Sequence, residues 1–318
     1  MGVKNLIKLI EKLAPNAITY KRIQNYNNTI IGIDTNLMIY KLIYGIRGMG
    51  IDITNKINDK DIIVTHIHAL LMKFIGFRKY NIRPVFVFDV ASPDIKEATM
   101  EDRKKVREKL AEKYKDSKTD KGKRIYYYMK SDVTQEEIDD IRELINIFNY
   151  PLIDAKEEAD SQLTQLAKNN LIDYIASDDM DILVFGTSNV KLLKKFNVDE
   201  DKTIQEINLS KFLKSAKITH KELIDIAILC GSDYCKIPSV SPLKSYALIK
   251  EYKSIINIPE ISHKCDEARE YFSHPPVFNI KKLPTRKKPD VEKFKAFLNR
   301  FHFKQKYIKR MLKDLKLD

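Results

Sequence analysis

One stretch constrains this chain more than any other: residues 154–181, DAKEEADSQLTQLAKNNLIDYIASDDMD. It carries two acidic pairs at i, i+2 spacing, Glu158-Ala-Asp160 and Asp179-Met-Asp181. Between them lie a helix-like segment and the apolar run Ile172-Asp-Tyr-Ile-Ala176, which reads as a buried strand. The unit is therefore helix, strand, then an acidic loop at the strand's carboxyl end, where open α/β sheets bind ligands. Carboxylates gathered there repel one another unless cations lie between them. Hard divalent ions such as Mg²⁺ take oxygen ligands of this kind. Any one of these acids alone is better explained as solvated surface, so the rest of the chain must supply further ligands.

It does so at two places. Thr29-Ile-Ile-Gly-Ile-Asp34 and Pro84-Val-Phe-Val-Phe-Asp89 are apolar strand patterns that each end in an acid. An aspartate just after a strand is often only a helix cap, but repetition of the pattern weighs against that reading. Helical periodicity covers residues 3–13, the segment through Leu37 and Ile43, and 61–80, which includes His66 and His68 as packing or surface residues. The expected fold is α/β, a mostly parallel central sheet flanked by helices.

Two further regions carry charge. Residues 96–130 are dense in lysine and arginine and contain Tyr126, Tyr127 and Tyr128, a combination that suits single-stranded nucleic acid. A solvated amphipathic hairpin explains that segment about as well. Residues 218–229 read as a helix leading through Cys230-Gly-Ser-Asp-Tyr-Cys235 to a turn and a second helix. Such a hairpin can hold a duplex backbone through amides at the helix start and Lys244. The tail has a basic loop, Lys281-Lys-Leu-Pro-Thr-Arg-Lys-Lys-Pro289, fit for a nuclear-localisation signal or a solvated linker, then two short basic helices.

Across 318 residues the net charge is +13, although many acids are committed to one cluster, so the remaining surface favours a polyanion. Hydrophobic residues at 43% exclude a disordered chain, and no apolar run is long enough to span a membrane. Nothing at the start reads as a signal peptide. Cys230, Cys235 and Cys265 offer neither a zinc spacing nor a disulfide framework, which points to a reducing intracellular compartment.

Taken in order, MGVKNLIKLI, IGIDTNLMIYKL, RPVFVFD, PLIDAKEEADS, ASDDMDILVFG, LCGSDYC and DEAREYFSHPPV resemble the flap endonuclease branch of the structure-specific 5′ nucleases, relatives of the XPG repair nuclease. The resemblance implies a PIN-like 5′ nuclease core with a helical arch and a C-terminal helix-hairpin-helix region. On that reading the core occupies 1–95 and 134–225, the arch 96–133, the hairpin region 226–275 and a basic tail 276–318. It implies that Asp34, Asp89, Glu158, Asp160, Asp179, Asp181 and Asp233 bind two Mg²⁺ ions, with Mn²⁺ as a substitute. Lys96 and Arg103 would steer the scissile phosphate, Tyr40 would stack on the nucleotide at the cut, and Arg47 would touch DNA. The implied partner is 5′-flap or other branched DNA, and the implied location a nucleus or a cytoplasmic, viral replication site.

The sequence departs from the family at three points. Ser239-Val-Ser241 stands where the hairpin usually has Gly-x-Gly, Val90 replaces a glycine after the Phe-Asp strand, and no clear sliding-clamp peptide is present, Gln305-Lys-Tyr-Ile308 being the nearest. Alternatives within the superfamily are a Holliday-junction resolvase and a 5′→3′ exonuclease. A non-catalytic DNA-binding scaffold would have lost some of the seven acids, and the Gly-Ser-Asp-Tyr hairpin speaks against a PIN-like ribonuclease.

Overall fold

Strands form where apolar, β-branched residues alternate between two buried faces. In Arg83–Phe88, Val85 and Val87 enter one core while Phe86 and Phe88 enter the other. The computed structural model describes residues 3, 5–49, 51–57, 60–130, 132–259, 261 and 264–318, and the side chains of 57, 98, 103 and 127–130 lie outside that description. The strands are β1 (Ile18–Lys21), β2 (Ile30–Asp34), β3 (Thr54–Ile57), β4 (Lys60–Ile63), β5 (Arg83–Phe88), β6 (Leu152–Asp154), β7 (Tyr174–Ala176), β8 (Lys191–Lys194) and β9 (Ile204–Asn208). The first helices are α1 (Leu6–Leu13), α2 (Thr35–Arg47), α3 (Thr65–Lys79), α4 (Glu97–Tyr114), α5 (Asp120–Lys130), α6 (Gln135–Ile147) and α7 (Ala159–Lys168). They are followed by α8 (Asp181–Phe185), α9 (Leu209–Ala216), α10 (His220–Gly231), α11 (Pro242–Tyr252), α12 (Asp266–Ser273), α13 (Val291–Arg300) and α14 (Gln305–Asp314).

Seven strands make one sheet in the order β1-β9-β8-β7-β2-β5-β6. From β6 to β8 neighbours are parallel, and β9 and β1 complete one edge antiparallel. The chain runs outward from β2 through β5 to β6, then returns to β7 on the other side of β2. The strand order therefore switches direction between β2 and β7, where a crevice opens at the carboxyl ends. One core packs α1 and α7 to α12 on one face; the other packs α2, α3, α6, α13 and α14 on the opposite face. Gly32 in β2 lets α7 close on the sheet: a Cβ there would stand 2.6 Å from Leu163 and Ile172 side-chain atoms.

Two expectations are corrected, at residues 60–63 and at the cysteines, while the 96–130 excursion takes the helical form expected of it. Residues 60–63 are strand, not helix, pairing with β3 in a separate two-stranded ribbon. Both halves of the 96–130 excursion are helical, α4 and α5 packed as a hairpin beyond the sheet. Cys235 and Cys265 form a disulfide, with Cα atoms 5.8 Å apart, because the chain after α11 folds back on the hairpin. Their separation of 30 residues gave no sign of that proximity. Among the described residues no helix is long and apolar enough to cross a membrane.

Candidate active site

The acids converge on the carboxyl edge at the switch point. Asp34 ends β2 and caps α2: one carboxylate oxygen accepts from the Leu37 amide at 3.1 Å, the other from the Ser177 hydroxyl at 2.8 Å. Asp89 follows β5 and accepts from the Ala159 amide at 2.7 Å. Glu158 is the N-cap residue of α7 and Asp160 lies in its first turn, one on either side of that amide. After β7, the Asp179 amide donates to Ser177 Oγ at 3.0 Å and Asp179 Oδ1 accepts from the Asp181 amide at 3.0 Å. Asp181 is fully buried; its Oδ1 accepts from the Val3 amide at 2.9 Å, while Oδ2 has no hydrogen-bond partner. Asp233 follows α10, where Gly231 at φ 100° reverses the chain in a conformation that suits only glycine. Its carbonyl accepts from Thr99 Oγ1 at 3.2 Å, tying the hairpin to the base of α4.

The seven acids act as one electrostatic group. Burial, then the charge of Asp89, push Asp34 up to about 7. Asp89 is raised by burial and by Glu158 and Asp179, despite the Ala159 amide. Asp160 stands well above the carboxylate range through burial, Asp179, Asp34 and Asp181. Asp181 does so through burial and Asp179, with Asp233 and Glu158 adding. Like charges close enough to hold one another's protons want a cation, and an all-oxygen donor set with an unpartnered buried oxygen at Asp181 fits a hard divalent metal. Among the described residues no three of these groups already surround one point in ligating geometry, so the charge is gathered without a closed shell.

Lys96 reaches into this group. Burial would lower its pKa, but Glu158 and Asp181 hold it above the ordinary lysine value. Its ammonium lies 2.5 Å from Glu158 Oε1 and 4.2 Å from the centroid of the Tyr234 ring. Arg103 lies in α4 about two turns further on; its side chain is outside the described residues. Tyr40 is 40% exposed on α2 and stacks on Tyr44 with ring centroids 5.6 Å apart. Lys244 is exposed in the first turn of α11.

Arg47 is placed differently. It is 4% exposed and its guanidinium is taken by Asp52 at 3.0 Å, Glu137 at 2.6 Å and the Asp132 carbonyl at 3.0 Å. It joins the end of α2 to the start of α6, which corrects the expectation of an arginine facing DNA. The hairpin serines cause no strain: neither Ser239 nor Ser241 has a positive φ, and the Val240 amide bonds the Leu229 carbonyl at 2.8 Å.

Sequence reasoning missed three supporting groups. Tyr234 donates its hydroxyl to Glu158, Ser177 orients both Asp34 and the 177–181 turn, and the Val3 amide holds Asp181. Tyr234 could have been suspected from its place beside Asp233; a backbone amide 178 residues away could not.

Known proteins match this arrangement. Residues 1–110 match the XPG N-terminal domain and residues 149–233 the XPG I-region, and all seven acids fall within those two segments. Flap endonuclease 1 of Entamoeba histolytica is 30% identical over 99% of this chain and 88% of that protein. Flap endonuclease 1 of Plasmodium knowlesi is 32% identical over 100% of this chain but only 58% of its own length. The chain thus spans most of one relative and little more than half of another. Among solved structures, the catalytic core of Rad2 in complex with DNA substrate has a TM-score of 0.71 at 21% identity, covering 96% of this chain and 98% of that one. Flap endonuclease-1 from Methanococcus jannaschii has a TM-score of 0.71 at 21% identity, covering 96% of each chain. At such identities these two structures speak for the fold.

Proposed function

The chain belongs to the XPG family of metal-dependent DNA nucleases, in its flap endonuclease branch, and from that premise we propose that it hydrolyses a phosphodiester where a 5′ single strand leaves a duplex. The observation that carries this reading is the gathering of seven acids into one electrostatic group at the switch point, beside Lys96. In the proposal Asp34, Asp89, Glu158, Asp160, Asp179, Asp181 and Asp233 hold two Mg²⁺ ions, with Mn²⁺ able to substitute. Such a pair supplies an activated water and offsets charge on the leaving oxygen.

The chain's own groups do the rest. Lys96, and Arg103 from the same helical base, offset charge that grows on the phosphate. Tyr234 and Glu158 fix the Lys96 ammonium between a ring face and a carboxylate. Tyr40, supported by Tyr44, offers a face on which a base can stack. The start of α11 with Lys244 grips a duplex backbone without reading its sequence, and α4 with α5 forms the arch beside which the flap passes. The work belongs where DNA is replicated or repaired, in a nucleus or at a cytoplasmic viral site. A sliding clamp is not among the proposed partners, since Ile308 and Met311 of the nearest candidate peptide are buried in the core.

Asp181→Ala tests the assignment. Cleavage of a 5′-flap duplex is expected to fall below detection while the affinity for the same DNA, measured by fluorescence anisotropy, stays within a small factor. Equal loss of binding and cleavage would make Asp181 a structural acid.

A further inference from the structure

We propose a second ligand site in this fold: a cavity on the α2–α3 side of the switch point that takes a nucleotide, its phosphate held by Lys73 and Lys195. The cavity has a volume of about 600 Å³, within the range of small-molecule sites. It lies over the carboxyl ends of β2, β7 and β8, with α2 and α3 as walls and the 195–203 connection on its outer side. It shares Asp34 and Ser177 with the acidic edge, but none of the other six acids lines it.

Apolar, basic and acidic side chains meet there, the acids being Asp34, Asp178 and Asp201. Leu37, Met38, Phe77 and Phe196 make an apolar wall, with the Phe77 and Phe196 rings nearly parallel and their centroids 6.2 Å apart. Against it stand lysines in different circumstances. Lys41 is paired with Asp178, and Lys202 lies 3.6 Å from Asp199. The ammonium groups of Lys73 and Lys195 have no hydrogen bond or ion pair with a described residue. Burial, and then the charge of Lys202, push Lys73 down to about 8. Asp199 attracts it only in part, and a half-buried ammonium with no hydrogen-bond acceptor among the described residues is costly, so an anion entering the cavity supplies the acceptor it lacks. The Lys195 backbone is held in the left-handed region at φ 54°, its amide donating to Asp178 Oδ1 at 2.6 Å.

Inorganic phosphate would use the lysines and leave the apolar wall bare; an apolar molecule would do the reverse. A nucleoside monophosphate uses both. It could arrive free or as the phosphorylated end of a strand, and the two sources share the same chemistry. The site requires no metal at the acids, so it stands or falls apart from the proposed cleavage reaction.

Calorimetric titration in EDTA tests it, with dTMP, thymidine and a 5′-phosphorylated oligothymidylate as probes. A single dTMP site is expected, with thymidine weaker by about tenfold or more, the worth of a charged hydrogen bond. Lys73→Met should weaken dTMP by a similar factor while leaving the melting temperature unchanged or higher, because a half-buried ammonium is replaced by an apolar chain of similar length. Lys195→Gln, at an exposed position, should weaken dTMP without touching the core. Competition by the oligonucleotide assigns the site to a strand end; dTMP binding that the oligonucleotide leaves unaffected assigns it to free nucleotide. No dTMP binding, equal binding of thymidine, or equal binding in both variants overturns the proposal.

Discussion

Asp34 is at once the end of a strand, the cap of a helix and a member of a charged group, and these roles pull its proton in opposite directions. The Leu37 amide and Ser177 hydroxyl favour its ionised form, yet burial and Asp89 outweigh them. Asp89, Asp160 and Asp181 are shifted the same way. A carboxyl whose folded pKa lies above its unfolded value gives stability that is complete below the unfolded value and lost as pH rises through the folded one. The metal-free protein is therefore expected to melt at a lower temperature at pH 8 than at pH 6, the window set by Asp34 at about 7. Added Mg²⁺ should recover the loss, by binding the folded state alone. A metal-free melting temperature that rises over this interval would mean the acids are not coupled as described. This residue scale was only half legible in the sequence. The i, i+2 acids and the strand-ending aspartates were visible as types and spacings, but Asp233 became a candidate only through family resemblance. Ser177, Tyr234 and the Val3 amide, which orient the acids, come from segments far apart in the chain.

At the scale of elements, periodicity served well where an element has one buried face or two. It found β2, β5, α2, α10 and the paired tail helices, because burial imposes the pattern. It failed at 60–63, where a short ribbon outside the main sheet has no core to alternate against, with burial running exposed, exposed, intermediate, exposed. Arg47 shows a different limit. A basic residue at the end of a helix near an expected DNA path invites a DNA role, yet Asp52 and Glu137 enclose it. Removing one member of a buried charge network leaves the others unpaired, at a cost of about 3–5 kcal/mol. Arg47→Met is thus expected to lower the melting temperature by several degrees, with DNA affinity per folded molecule unchanged. A variant of wild-type stability that binds DNA more weakly would return Arg47 to the DNA interface.

Over the whole molecule the net charge is +13 with the clustered acids counted, so the surface away from that sheet edge is more positive still. A surface of that kind binds a phosphate backbone by releasing its counterions, so affinity falls steeply with salt. Lys244→Ala should weaken binding about equally across sequences and reduce the slope of log affinity against log salt by about 1. The α/β class with a mostly parallel sheet was legible from strands ending in acids with helical segments between them. The strand order was not, since nothing local in the sequence says that β7 returns beside β2. That return is what brings Asp34 and Asp89 to the acids of 158–181.

The most direct test of the central claim is cleavage of an end-labelled 5′-flap duplex with Mg²⁺ and then with EDTA, with single-stranded, nicked and four-way DNA alongside. Metal-dependent cutting at the base of the flap, in preference to the other substrates, is the predicted result. DNA binding without cleavage of any substrate, with Mn²⁺ also supplied, would contradict it.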